Sequence, residues 1–389
     1  MTRSITILGA TGSIGGSTLD VLTQMDAANE FEVAALTGAG NVARLAEQAV
    51  HHRAKLAVTA DEARYQDLKD ALAGTGIAVA AGKSGLIEAA DMPSSMVMAA
   101  IVGTAGLAPT LTATRRGADI ALANKECLVS AGELFVSAVK AGGGRLLPVD
   151  SEHSAIFQSL DPERRHAVER VILTASGGPF RTWNREQMAG VSAEVARAHP
   201  NWSMGLKISI GSASMFNKAL EVIEAKHLFD LEPHEIEVIV HPQSIIHSMV
   251  GYRDGSIIAQ LGAPDMRTAI GYALAFPDRP ALNVARLDFA RLARLDFEAP
   301  DEVRFPALRL ARLALSRGGV QALTMNAAEE TAFHAFCDGR IGFLDMADIA
   351  ESAMEAMLDW PAANTIEDIF AADAEARGRA AEFIARKAS

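Results

Sequence analysis

The chain is poor in cysteine, lacks an excess of positive charge, and contains no signal-like or membrane-spanning apolar run; each shortage excludes something. Two cysteines, Cys127 and Cys337, among 389 residues cannot build a disulfide framework, which favours a reducing compartment. Lys and Arg total 36 against 48 Asp and Glu, a formal charge of −12. Nucleic-acid binding needs a broad cationic face for the phosphate backbone, so no nucleic-acid partner is expected. A small phosphorylated ligand stays open, because it needs only a few local donors. The uncharged stretch 92–114 is interrupted by Pro93, Gly103, Gly106 and Pro109. It reads as a buried strand, a glycine turn and a helix, with no membrane partner implied. Neither a secretory h-region nor a Ser/Arg-rich transit segment precedes the first apolar run. The expectation is a cytoplasmic, bacterial protein.

What is present is a globular composition, 49% hydrophobic and 22% charged, with length for two or three domains. Up to residue 149, short apolar runs at 4–8, 31–36, 55–59, 77–80, 95–102, 119–123 and 145–149 alternate with helical periodicity, as at 14–25 and 42–51. That βαβ rhythm predicts an α/β, Rossmann-like domain over 1–149. Residues 150–278 change pattern: strand-like runs at 171–175, 236–240, 244–252 and 256–261 surround a helix predicted at 214–227. Arg253-Asp254-Gly255 is a hairpin signal. An α+β domain with a mixed or antiparallel sheet is expected there. Residues 279–300 read as a connecting arm. Residues 301–389 read as a helical bundle, with helices at 305–317, 327–337, 343–358 and 366–387.

Several segments carry chemistry. Gly9-Ala10-Thr11-Gly12-Ser13-Ile14-Gly15 lies between the first strand and a helix, where bare backbone and a helix N-terminus suit a pyrophosphate. The second strand ends in Leu36-Thr37-Gly38-Ala39-Gly40-Asn41, without the acid that holds a ribose 2′-hydroxyl in NAD sites; with Arg44 one turn further on, NADP is favoured. Asn124-Lys125-Glu126-Cys127 follows the sixth strand, and Cys127 reads as a small buried residue before a thiol nucleophile. Asp150-Ser151-Glu152, if extended, points two carboxylates to one side; alone the pair suits metal ligation, acid/base work or a solvated turn equally. Asn217, Lys218 and Glu221 share one helix face behind Ser212 and Ser214. This is either a surface salt bridge or an anion cradle beside a carboxylate, to which Ser176-Gly177-Gly178 adds a donor. His199-Pro200-Asn201-Trp202-Ser203-Met204-Gly205 fits neither helix nor strand periodicity and is equally a lid or a packed loop. His241 and His247 read as sheet residues, their spacing matching no familiar zinc pattern.

Taken in order, Gly-Ala-Thr-Gly-Ser-Ile-Gly, Ala-Asn-Lys-Glu, Leu-Pro-Val-Asp-Ser-Glu-His, Ala-Ser-Gly-Gly-Pro-Phe, His-Pro-Asn-Trp-Ser-Met-Gly, Asn-Lys-Ala-Leu-Glu and His-Pro-Gln-Ser-Ile-Ile-His-Ser-Met resemble the 1-deoxy-D-xylulose 5-phosphate reductoisomerase family from end to end. The resemblance implies a V-shaped homodimer with an NADPH domain, a central catalytic domain whose sheet makes the dimer contact, and a terminal helical domain. It implies that Asp150, Glu152 and Glu221 hold one Mg²⁺ or Mn²⁺, and that Ser176, Ser212, Asn217 and Lys218 hold the phosphate of a small phosphosugar. Lys125, Ser151, Glu152, His199 and Glu221 would meet the rest of the substrate, with Lys125, Glu152, His199 and Trp202 catalytic and Trp202 and Met204 in a lid. Thr11, Gly12, Ser13, Ile14, Gly40, Asn41, Asn124, Glu126 and Gly205 would contact NADPH. Two positions depart from the family pattern: Gly40 stands where relatives carry Lys, and Cys127 where they carry Ser.

Overall fold

The computed structural model describes residues 3–25, 31–198 and 205–388. Contacts divide them into two units, with a boundary inside the helix Ser151–Ser159.

The first unit comprises the described residues up to Cys127, with Phe135–Ser154 and Asp265–Ala285. All seven expected strands form: β1 Arg3–Leu8, β2 Phe31–Gly38, β3 Leu56–Thr59, β4 Ala78–Ala81, β5 Met96–Ala99, β6 Asp119–Leu122 and β7 Leu146–Pro148. They pair in parallel in the order β4-β3-β2-β1-β5-β6-β7. Ile5, Ile7, Leu8, Leu36, Val97 and Met98 are buried, as expected where helices cover both sheet faces. The order reverses between β1 and β5, and such a switch point opens a crevice at the carboxyl ends of the strands. The glycine turn follows β1 there. Gly9 has φ +92°, and a Cβ on it would come 2.6 Å from the Ala100 carbonyl oxygen; a Cβ on Gly15 would overlap the Gly9 carbonyl. Only glycine lets the helix Ser13–Gln24 close onto the turn.

β5 is shorter than its apolar run, ending at Ala99 before Gly103 turns the chain at φ +80°. The uncharged stretch thus holds a strand, a turn and the helix Leu107–Thr114. Among the described residues no helix is long and apolar enough to cross a membrane. The helix Met266–Ala275 also joins this unit, although composition groups it with the middle of the chain. Arg3 donates to the Leu274 carbonyl at 2.5 Å, and Arg267 reaches Asp20 at 3.3 Å.

The second unit comprises Leu128–Leu134, Ala155–Pro264 and Arg286–Ser389. Its sheet holds β8 Val168–Ala175, β9 Ile236–Val240, β10 Ile246–Tyr252 and β11 Ile257–Leu261, ordered β11-β10-β8-β9. The β8–β10 and β10–β11 pairs are antiparallel; β8 and β9 run parallel because helices link them. The arm meets the end of β9 through paired 2.9 Å hydrogen bonds between Val240 and Glu298, covering that end of the sheet edge. Helices Ala307–Arg317, Gln321–Cys337, Asp345–Ala356 and Ile366–Ala388 share a core with the sheet, through Val171, Leu173, Leu308, Phe333 and Ile349.

Two helical boundaries differ from the sequence pattern. The helix expected from 327 starts at Gln321, because Gln321, Thr324 and Asn326 are polar yet buried. Gln321 Nε2 spends its hydrogen bond on the Met354 carbonyl at 3.0 Å. The helix expected over 214–227 forms as Phe216–Phe229, and a second helix, Leu206–Ala213, precedes it, separated from it by Met215 at φ +65°.

One half-buried titrating group follows from this packing. The His227 ring lies against Gly132, whose Cβ would approach its Cδ2 to 2.7 Å. Burial, reinforced by Lys226, pushes His227 from 6.5 down to about 4. The folded state therefore binds this proton later than the unfolded chain, so stability is full above pH 6.5 and declines as pH falls toward 4. Urea unfolding at pH 7 and pH 5 checks this: His227→Phe is expected to flatten that decline, and an unchanged decline contradicts it.

Candidate active site

At the dinucleotide end, the Thr37 hydroxyl accepts from Gly9 N–H at 2.9 Å, and Gln48 Nε2 donates to the Ala10 carbonyl at 3.2 Å. β2 and the helix Val42–His51 thereby pin the turn carrying Thr11 and Gly12. Gly12 caps the helix Ser13–Gln24 with no side chain, and its first turn has no acid. The N–H groups at Ser13 and Ile14 thus form an uncapped positive helix end, which fits a pyrophosphate. Asn41 Oδ1 accepts from Arg44 N–H at 3.2 Å and starts the next helix, while a Cβ on Gly40 would meet nothing within 4 Å.

Neighbouring strands β6 and β7 deliver the next group to one sheet edge. Asn124 is buried: Nδ2 donates to the carbonyls of Ile101 and Gly103, and Oδ1 accepts from Cys127 N–H at 2.8 Å. It ties the exit of β5 to the start of the helix Glu126–Gly142, and Glu126 is itself buried. The Lys125 ammonium pairs with Asp150 Oδ2. Asp150 Oδ1 accepts from Glu152 N–H at 3.1 Å and His153 N–H at 3.3 Å, starting the helix Ser151–Ser159. The extended arrangement considered for Asp150 and Glu152 is therefore replaced by a helix cap and first turn. Ser151 donates to Glu152 Oε2 at 2.7 Å. His153, which the sequence pattern did not single out, brings Nδ1 to 3.5 Å from Asp150 Oδ1; its i+3 spacing was the available signal.

In the second unit, Glu221 has 0% exposure. It accepts from Asn217 Nδ2 at 2.6 Å and from the Lys218 ammonium, itself 5% exposed. The pair is buried, which excludes the surface salt bridge. Gly177 and Gly178, both at positive φ, turn the chain after β8, and Gly178 N–H donates to Ser176 Oγ at 3.1 Å. A Cβ on Gly178 would lie 2.9 Å from the Ser212 carbonyl oxygen, and one on Gly211 3.6 Å from Asn217 N. The segments carrying Ser176, Ser212 and Asn217 thus touch. Ser212 and Ser214 do not begin a helix, as their sequence position suggested. Ser212 sits in the last turn of Leu206–Ala213, and Ser214 closes that helix by donating to the Ile210 carbonyl at 2.9 Å. His199, Trp202 and Met204 lie outside the described residues. Gly205 caps the helix Leu206–Ala213. His241 is structural: its Nδ1 meets the Asp296 carbonyl at 2.9 Å and its ring stacks on Phe297. His247 lies buried in β10.

Asp150 and Glu152, at the start of one helix in the first unit, and Glu221, buried in the second, each offer a carboxylate. Three oxygen donors of this kind fit a hard divalent cation, Mg²⁺ or Mn²⁺, and offer no thiolate or imidazole to favour zinc.

Comparison with known proteins decides the family. Models described as 1-deoxy-D-xylulose 5-phosphate reductoisomerase, its C-terminal domain, and a DXP reductoisomerase C-terminal domain match residues 5–132, 146–229 and 261–379. The chain belongs to the 1-deoxy-D-xylulose 5-phosphate reductoisomerase family. Proteins of that name from Rhizobium rhizogenes and Agrobacterium fabrum are 71% and 70% identical, covering 99% and 100% of this chain and 97% and 98% of theirs. The reductoisomerase of Zymomonas mobilis, solved in complex with NADPH, is 52% identical with a TM-score of 0.93 over 99% of both chains. A DOX-P reductoisomerase solved with NADPH, fosmidomycin and magnesium is 41% identical, TM-score 0.93, over 98% of both.

Two outcomes follow from this geometry. Lys218→Met strands a buried carboxylate, and chemical denaturation of the metal-free protein is expected to show a loss of about 3–5 kcal/mol, part of it recovered with added Mn²⁺. Cys127 is fully buried, so Cys127→Ser is expected to leave turnover within about twofold of the parent; loss of turnover in steady-state assay would restore the thiol reading.

Proposed function

We propose that the chain catalyses the NADPH- and divalent-cation-dependent rearrangement and reduction of 1-deoxy-D-xylulose 5-phosphate to 2-C-methyl-D-erythritol 4-phosphate, in the non-mevalonate isoprenoid pathway. The observation that carries this reading beyond family membership is the buried Glu221 carboxylate held by Lys218 and Asn217. Residues 1–149 would carry the dinucleotide, 150–278 the cation and the sugar phosphate, 279–300 the connection and 301–389 the terminal helices.

A bound divalent ion supplies Lewis acidity and NADPH a hydride. The protein holds and orients the reactants. Asp150, Glu152 and Glu221 hold the ion. Ser176, Ser212, Asn217 and Lys218 hold the phosphate, so binding energy gained far from the reacting carbons fixes their position. Ser151, Glu152, Lys125 and His199 orient the hydroxylated chain. Lys125, paired to Asp150, is placed to hold or deliver the proton that the new hydroxyl takes up. Thr11, Gly12, Ser13, Ile14, Gly40, Asn41, Asn124, Glu126 and Gly205 contact NADPH, and Trp202 excludes water from the closed site. The rearrangement gives 2-C-methyl-D-erythrose 4-phosphate. NADPH would supply the hydride that reduces its aldehyde to the product alcohol, with Lys125 placed to give the oxygen its proton.

Two further features belong to the same reading. The chain acts as a cytoplasmic homodimer joined through the four-stranded sheet. Support for the dimer comes from β11, the sheet edge, where Ile257 and Ile258 are 52% and 49% exposed; an apolar edge strand calls for a cover. Support for the compartment comes from two cysteines without a disulfide.

Loss of NADPH absorbance with 1-deoxy-D-xylulose 5-phosphate tests the function. Turnover is expected with Mg²⁺ or Mn²⁺ and abolished by a chelator. Turnover indifferent to the chelator contradicts the metal role, and none with metal present contradicts the function. Sedimentation tests the dimer: the parent is expected at twice the chain mass, and Ile257→Lys with Ile258→Lys is expected to shift it toward monomer.

A further inference from the structure

We propose that Arg44 is the specificity residue that reads the 2′-phosphate of NADPH. The assignment rests on the NADPH reading above. Arg44 stands in the first turn of the helix Val42–His51, held by its N–H donating to Asn41 Oδ1. Its guanidinium reaches back across to the helix that follows the glycine turn. Nη2 lies 2.6 Å from the place a Cβ on Gly16 would occupy, and Cζ 3.8 Å from it. Arg44 therefore rests on bare backbone at Gly16, a seat that any side chain there would take away.

The guanidinium is also unspent. Other arginines close on carboxylates: Arg145 on Asp119, Arg267 on Asp265, Arg309 on Glu351 and Arg377 on Glu330. Among the described residues no acceptor pairs with the Arg44 side chain. Residues 36–41 carry no carboxylate that would repel a phosphate, and nothing lies within 4 Å of a Cβ at Gly40. In a sheet of this topology the adenosine ribose lies at the end of the second strand, beside the pyrophosphate at the first helix. Arg44 joins those two places, and Gly40 leaves the room between them. A guanidinium offers a planar fork of N–H donors matched to phosphate oxygens, which a ribose hydroxyl cannot engage with comparable strength.

Dissociation constants for NADPH and NADH, measured by calorimetry on the whole metal-free protein, test this. The parent is expected to bind NADPH more tightly. Arg44→Gln is expected to weaken NADPH by about ten- to a hundredfold and NADH by less than about twofold. Arg44→Lys keeps the charge and should fall between them. Gly16→Ala displaces the guanidinium without removing it and should lower NADPH preference in the same direction. Adding Gly40→Lys to Arg44→Gln should return part of the lost NADPH affinity. Equal weakening of both dinucleotides would place Arg44 on a part they share and overturn the assignment, as would no weakening of either. A parent that binds neither dinucleotide overturns the NADPH reading itself, an outcome distinct from either of those.

Discussion

A carboxylate with no exposure to solvent governs the catalytic half of this chain. Glu221 is buried with a lysine three residues before it and an asparagine four before it, so helical periodicity alone brings its partners to it. Desolvating such a charge is tolerable only if it is paired and hydrogen-bonded. The local structure serves that need. The chain breaks at Met215 so that the helix bearing Asn217, Lys218 and Glu221 starts afresh, and two left-handed glycines let the loop after β8 press against the preceding helix end. Packing, charge and chemistry meet at this one side chain.

The terminal helices extend the same principle. Lys207, on the helix that Gly205 begins, pairs with Glu330 at 2.7 Å; Arg377 pairs with both Glu330 and Asp373. Burial alone would raise the Glu330 carboxyl, but Lys207 and Arg377 outweigh it and hold it below its ordinary value. A bundle that reads as packing material thus also fixes the helix leading into the Ser212 segment. Exposed pairs such as Arg309 with Glu351 contribute far less, since water and salt screen them.

Much of this was legible because its physics is local. The apolar runs of β1 to β7, the glycine turn and the i, i+3 and i, i+4 spacing around Glu221 each follow from neighbours along the chain. What was hidden depends on distant partners. Nothing near Gln321 announces that its amide would meet the Met354 carbonyl, so a buried polar turn reads as a loop. The parallel pairing of β8 with β9 and the placement of the helix Met266–Ala275 arise from tertiary packing. Asp150 reads as part of an extended pair in sequence, whereas in the fold it caps the helix Ser151–Ser159 that begins beside it. Residue types at the site were readable; which backbone each would serve was not.

The acid excess, −12 overall, now divides into a solvated majority and three carboxylates assigned to a cation. That assignment is tested most directly by titrating the metal-free protein with Mn²⁺ and counting bound ions by paramagnetic resonance. One ion per chain is expected, with affinity lowered about tenfold or more in both Glu221→Gln and Asp150→Asn. Unchanged Mn²⁺ binding in both variants would contradict the account.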